Sequence, residues 1–429
     1  MKKKGVAIFI FICLAFFLTQ RESKSQTIDK ESIYVLKPTR IFDGENLLEN
    51  HWVIVRGEKI EAVGKPNELN IPKNATSIDL TNQTLLPGLI EGHAHLLLHP
   101  YNETAWDDQV LKEPSALRVV RAVNHAKATL LAGFTTVRDL GTEGAGYDDV
   151  GIKTAINQGL IGGPRMIVAT RAIVATGSYA PKGFAPHIEI PQGAEEADGI
   201  DNLIKVVRTQ IGKGADVIKV YADYRWGLWG EARPTFSIEE LKLIVETAKS
   251  SGRPTVAHAS TAEAMRRCVI AGVETIEHGD NGTPEVFRLM AEKGVALCPT
   301  LAAGDAILQY RGWKKGKQAD PPRIVQKKQS FKQALEAGVK ICFGGDVGVF
   351  AHGDNARELE MMVEYGMTPL AALQSATSIN ADVFHYANQI GRVKAGLFAD
   401  LIAVEGNPTQ NIKDIRKIKL VMKGGEIIK

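Results

Sequence analysis

An α/β fold is predicted: a (β/α)8 TIM barrel carrying a small β-sandwich domain built from both termini. Three observations predict it. Between residues 85 and 385, apolar runs of strand length alternate with helical patterns. That alternation repeats eight times, which favours a closed barrel over an open doubly wound sheet. The two ends of the chain read differently, as short β-rich runs broken by Gly, Asn and Pro.

The first segment is a signal peptide. Met1-Lys2-Lys3-Lys4 is basic, and residues 5–18 (GVAIFIFICLAFFL) are uninterruptedly apolar. That run is shorter than the roughly 18–20 apolar residues of a spanning helix. Ser23 and Ser25 flank Lys24 as small residues two apart and fit a signal peptidase site, so residues 1–25 are expected to leave with Gln26 as the first residue. The mature protein is expected to be exported, periplasmic or secreted, with no stable membrane insertion after cleavage. The intact mass of the exported product checks this; a full-length, membrane-bound product contradicts it.

The composition is that of a globular chain of 429 residues, 44% hydrophobic and 24% charged, enough to build a large core. The net charge of +3 belongs to the leader. Without residues 1–25, which hold five cations and one anion, it becomes −1, so no basic footprint for nucleic acid remains. Cys13 leaves with the leader. Cys268, Cys298 and Cys342 lie too far apart in sequence for a disulfide framework and read as core residues.

Residues 26–84 and 386–429 form the composite β domain. Its runs are IYVLKPTRIF, HWVIVRGEKIEAVG and ATSIDLTNQTLLP, then LFADLIAVEG and IRKIKLVMKGGEIIK. Residues 85–385 form the barrel, with strands at 85–90, 135–140, 165–170, 216–221, 254–258, 274–278, 295–299 and 339–344. Helices are predicted at 115–131, 237–248, 261–271, 284–293 and 369–384. The second of these opens with Ser237 and Glu240, a capping box. No GxGxxG follows the first strand, which speaks against a dinucleotide fold.

Candidate chemistry falls at the C-terminal ends of the strands, where barrel sites are built. PGLIEGHAH places His93 and His95 two apart on an extended segment, so both rings face one side. Lys219 lies inside the apolar strand DVIKVY, His258 ends VAH, His278 ends TIEH and Asp346 ends CFGGD. Singly, each reads as a core or capping group. Together they converge on one mouth. Four histidines and an aspartate are borderline N/O ligands suited to Zn²⁺ or a similar divalent ion. An ammonium cannot ligate a cation. A desolvated Lys219 amine can instead add CO₂ and become a carbamate bridging two metal ions.

This constellation resembles the amidohydrolase superfamily, in its binuclear subgroup with a carboxylated lysine. The resemblance runs through LLPGLIEGHAHL, GFTTVRDLG, ADVIKVYAD, VAHA, IEHGD, FGGDVG and GRVKAGLFADLIAVEGNP. Within it, the chain is most similar to the imidazolonepropionase-related group. That group includes metal-dependent Xaa-Pro dipeptidases, carboxypeptidase-like enzymes and ochratoxin-type amidases. The resemblance implies that His93, His95 and Asp346 hold one metal ion, His258 and His278 the other, and carboxylated Lys219 bridges them. Asp346 also moves the proton. The substrate is then a dipeptide or another small molecule with an amide bond, and a homo-oligomer is compatible with it. Relatives carry Thr-Gly-Gly-His after strand three. Here ATGSYAPKGF puts Tyr179 at the histidine's place, so polarising the substrate carbonyl falls to Tyr179 or Tyr224.

His51, His99, His125, His187 and His385 read as structural. His352 is open between substrate contact and a loop hydrogen bond. The same ligands would serve a cyclic-amide or lactone hydrolase, and a non-catalytic periplasmic metal or ligand binder would keep them without turnover. Hydrolysis of a dipeptide library with and without metal separates these readings.

Overall fold

The computed structural model describes residues 32–429; the expected signal peptide lies outside the described residues. The two ends of the chain meet in one eight-stranded sheet. Ile33–Phe42 pairs in parallel with Thr76–Pro87, and Thr76–Pro87 pairs antiparallel with Leu401–Glu405. Ile418–Lys423 extends the sheet beyond Leu401–Glu405. Both ends of the sheet reach the segment that precedes Leu401–Glu405: Ile60 N donates to Leu397 O at 3.0 Å and Gly425 N to Ala399 O at 3.1 Å.

Alternation along the strands sorts the side chains between two faces. Val53 and Val55 join Leu36, Leu85, Leu401 and Leu420 in one buried cluster, while Ile54 packs with Ile33 and Val35 on the other side. The predicted sandwich of separate layers is thus one sheet rolled about its own core. Its ladder stays continuous because Thr76–Pro87 pairs with a strand from each end of the chain.

Beyond the sheet come parallel strands and helices. Leu89–Ala94, Phe134–Asp139 and Arg165–Val168 pair in sequence order. Asp216 N donates to Val168 O, leading to Ile218–Tyr221, Thr255–Thr261, Thr275–Asn281 and Ala296–Cys298, again in sequence order. The segment 341–347 then bridges both neighbours, Ile341 to Leu297 and Val347 to Ala94.

Three expectations need correction. The strand expected at 85–90 is split at Gly88 between Thr76–Pro87 and Leu89–Ala94. A Cβ at Gly88 would fall 2.1 Å from Thr135 Oγ1, so only glycine lets the chain pass from one sheet to the next. The eighth strand, expected at 339–344, is reduced to the two bridges. A side chain at Gly344 would meet the His93 backbone and Cys298 Sγ, so the stretch runs close to its neighbours without a regular ladder. The helix expected at 369–384 is present through Val383 but is not α throughout: Pro369–Gln374 passes into a π segment at Ser375–Ile379 and then Asn380–Val383. Ser375 and Thr377 hydroxyls donate to the Ala372 and Leu373 carbonyls, while Asn380 is tied to Ile90 and Phe343. These bonds compete with the α-helical register.

The remaining predicted helices form close to expectation. Ser115–Leu131 and Pro284–Lys293 match in both bounds. Ser237 caps Ile238–Lys249 in the predicted box with Glu240. Among the described residues no helix is long and apolar enough to cross a membrane.

Candidate active site

The parallel strands deliver their last side chains to one cavity of about 210 Å³. His93 is the second-last residue of the first of them, Leu89–Ala94, and His95 follows directly after that strand. Ladder register sets two more histidines: Tyr221 pairs with His258, and Ala259 with His278. Asp346 comes from the 341–347 segment. Its backbone N donates to His93 O at 2.8 Å, which fixes it beside the first strand.

The ring orientations are set by the nitrogens pointing away from the cavity. His93 Nδ1 is hydrogen-bonded to Glu277 Oε2 at 2.8 Å, His95 Nδ1 to Gly141 O at 2.8 Å, and His278 Nδ1 to Thr300 Oγ1 at 2.7 Å. Each Nε2 is then the atom turned inward, the arrangement of a metal-ligating imidazole. His95 Nε2 lies 3.3 Å and His93 Nε2 3.7 Å from Asp346 Oδ1. Ligand atoms of His93, His278 and Asp346 lie within 4.8 Å of one another. The His258 ring sits 4.4 Å from His278 and stacks on Tyr221.

Electrostatics prepare these groups as ligands. Burial and the nearby Lys219 charge hold His93 down at about 4 and His258 at about 3, and burial pulls His278 well below its usual range. These imidazoles are neutral at pH 7. At His95, burial is overridden by Asp346, which raises the imidazole to about 9. Asp346 in turn, despite burial, is held at about 2 by His93 and His95. A cation bound between them competes with that shared proton.

Lys219 is 0% exposed, and its Nζ has no hydrogen-bond partner among the described residues. Burial pulls its pKa below the ordinary lysine value, against the opposing pull of Glu277 and Asp346. Beneath the histidines runs a buried support that the sequence reading missed. Arg138 Nη2 donates to Glu277 Oε1 at 2.8 Å, and Arg138 Nε to Gly92 O at 2.6 Å. Burial alone would raise Glu277, but Arg138 and His93 hold it well below the usual carboxylate range. Cys298 lies near this pair, yet burial pushes its thiol far up, so it offers no thiolate.

Of the predicted substrate residues, Tyr224 lines the cavity, half-buried. Tyr179 also lines it, but its hydroxyl donates to Glu143 Oε2 at 2.5 Å and is committed there. His352 is a correction: it does not line the cavity. Its Nε2 is hydrogen-bonded to Leu98 O and its ring stacks on His125 at 4.3 Å, because the loop after Asp346 turns it toward Ser115–Leu131. Tyr101, Tyr221 and Glu143 line the cavity without having been singled out. Glu143, His278, Thr300 and Asp346 all have positive φ, strained for residues with a Cβ and concentrated at the mouth.

Comparison with known proteins agrees with this geometry. Residues 84–428 match the Amidohydrolase family and residues 33–85 the NagA composite domain. The chain is 32% identical to ochratoxinase from Aspergillus niger over 424 residues, covering 90% of this chain and 84% of that protein. It is similar to the structure of a Xaa-Pro dipeptidase with bound methionine, at 31% identity and TM-score 0.81, covering 93% of this chain and 100% of that one. It is also similar to a prolidase complexed with N-methylphosphonate-L-proline, at 29% identity and TM-score 0.80, with the same coverage. These neighbours imply a TIM-barrel catalytic domain with an N-terminal β domain. With its histidines and Asp346 gathered at the strand ends, the chain belongs to the amidohydrolase family and is a hydrolase of amide C–N bonds.

Proposed function

We propose that the protein is an exported, binuclear metal-dependent amidohydrolase that cleaves the amide bond of a dipeptide or an N-acyl amino acid. The observation that carries this reading is Lys219: a buried amine with no hydrogen-bond partner among the described residues, close enough to His93, His258, His278 and Asp346 to act on their charge. That donor set fits two divalent cations, zinc by preference, with Lys219 carboxylated. His93, His95 and Asp346 would hold one, His258 and His278 the other, and the Lys219 carbamate would bridge. The similar Xaa-Pro dipeptidase and prolidase support a dipeptide substrate. Bridging of 341–347 to both neighbouring strands supports closure of the barrel over residues 85–385.

When bound, the cations supply Lewis-acid polarisation and a water that ionises near neutral pH. The chain's own groups do the rest. Asp346, kept ionised, accepts the proton of the attacking water at its carboxylate and returns it to the leaving amine nitrogen. The Tyr224 hydroxyl donates to the carbonyl oxygen as charge develops there. Tyr101 and Tyr221 wall the cavity and limit water at the reacting bond.

A mixed dipeptide library, incubated with zinc-loaded protein and with EDTA-treated protein, tests this. Release of amino acids only by the loaded protein is expected; equal release, or none, contradicts it. Tyr224→Phe keeps the ring and deletes the donor. It should lower kcat by roughly 10²–10³ with metal content unchanged, the loss typical of one oxyanion donor. A kcat/KM within about threefold of wild type, under about 1 kcal/mol, would assign the donor elsewhere.

A further inference from the structure

One carboxylate in the cavity has no assigned task. Glu143 sits in the GTEGAG loop after Phe134–Asp139, 2% exposed, with φ of 49°. The loop is clamped from behind, since buried Arg118 donates to the carbonyl oxygens of Thr142 and Glu143. The strained backbone thus holds one side chain in one place.

The partners of that side chain are unusual for a buried anion. Glu143 accepts from Tyr179 Oη at 2.5 Å, Trp106 Nε1 at 2.9 Å and Tyr221 Oη at 3.2 Å. All three donors are neutral. Among the described residues no Lys, Arg or His side chain hydrogen-bonds this carboxylate; His95 Nδ1, at 4.0 Å, is committed to Gly141 O. The other lining carboxylates are provided for. Asp280 pairs with Lys327, and Asp346 faces His93 and His95. A carboxylate accepts about four hydrogen bonds, so Glu143 keeps one place open, and the nearest charges, His95 at 4.0 Å and Arg118, reach it through space without a hydrogen bond to its carboxylate.

The surroundings suit a cation from outside. The Tyr179 ring lies 4.8 Å from both the Tyr221 and Tyr224 rings, so a packed cluster of aromatic rings that line the same cavity borders the carboxylate. The location is also specific. In an unblocked dipeptide, the α-amino group sits on the carbon bonded to the scissile carbonyl. Its acceptor therefore has to lie close to the reacting centre. Glu143 Oε1 is 4.0 Å from a nitrogen of His95.

We infer that Glu143 binds the substrate's free α-ammonium, and that the enzyme selects unblocked dipeptides over N-acyl amino acids and N-blocked peptides. The inference rests on the hydrolase reading above and narrows it. The test uses a dipeptide library and the same library N-acetylated, with wild-type holoenzyme and Glu143→Gln. Gln preserves the shape and an acceptor oxygen for Tyr179 and Trp106. Wild type should hydrolyse unblocked members faster by roughly tenfold or more, the scale of one charge-assisted hydrogen bond. Glu143→Gln should collapse that ratio to within about threefold. Equal rates for wild type, a preference for the acetylated library, or a ratio unchanged in Glu143→Gln would overturn the inference while leaving the hydrolase reading intact. No hydrolysis of either library by wild type would overturn the hydrolase reading and this inference with it. Should the variant fail to fold, competition on wild type decides: free leucine should inhibit roughly tenfold more tightly than N-acetyl-leucine, and equal inhibition overturns the proposal.

Discussion

Lys219→Met is expected to remove bound metal and activity together. The substitution keeps an apolar stem as far as Cε but no longer offers an amine for CO₂. Metal per chain by mass spectrometry should fall to the level of EDTA-treated wild type, and turnover to background. Because Nζ is buried and makes no hydrogen bond among the described residues, its removal leaves no hydrogen-bonding group stranded. The variant should therefore melt no lower than metal-stripped wild type, which separates loss of a ligand from loss of the fold. In Lys219→Ala, which leaves space, short carboxylates should restore part of the activity. Near-wild-type metal content and turnover in either variant would remove the bridging lysine from the account.

Asp346→Asn should give the second largest loss, and of a different kind. Asn retains an oxygen toward His93 and His95 and tolerates the left-handed backbone at this position (φ 61°). What it lacks is a proton acceptor. We expect kcat to fall by roughly 10² or more, the scale of general base catalysis, with KM little changed and most of the metal retained. Turnover close to wild type would place the base on another residue.

The site was legible in the sequence wherever a polar residue interrupted an apolar strand near its end. His93, Lys219, His258 and His278 are of this kind, and their convergence follows from parallel strand order alone. Glu277 had the same signature, one residue before His278, but in a single sequence it reads as the outward half of an alternating pair. Its partner Arg138 lies 139 residues away, so no local pattern joins them. Glu143 was hidden for another reason: GTEGAG is turn chemistry by composition, and only the tertiary contacts of Trp106, Tyr179 and Tyr221 give its carboxylate a setting. The same contacts explain why Tyr179 could be placed at the mouth while its hydroxyl could not. In the fold, alternating patterns gave the strands, whereas the π-turn at Ser375–Ile379 depends on Asn380 reaching across to Ile90 and Phe343.

The sheet that joins the chain ends constrains the order in which the molecule can mature. Thr84 and Gly406, hydrogen-bonded across the sheet, are 322 residues apart. Leading with its N-terminus, the chain presents Ile33–Phe42 and Thr76–Pro87 long before Leu401–Glu405 exists to pair with them. Until then, Thr76–Pro87 carries an open edge of backbone donors and acceptors, a template for pairing with other molecules. Completion of the sheet is thus a late, long-range closure, of the kind that slows folding. A chain that stops short of residue 401 leaves that edge uncovered for good, so early termination yields an aggregation-prone product as well as an incomplete one.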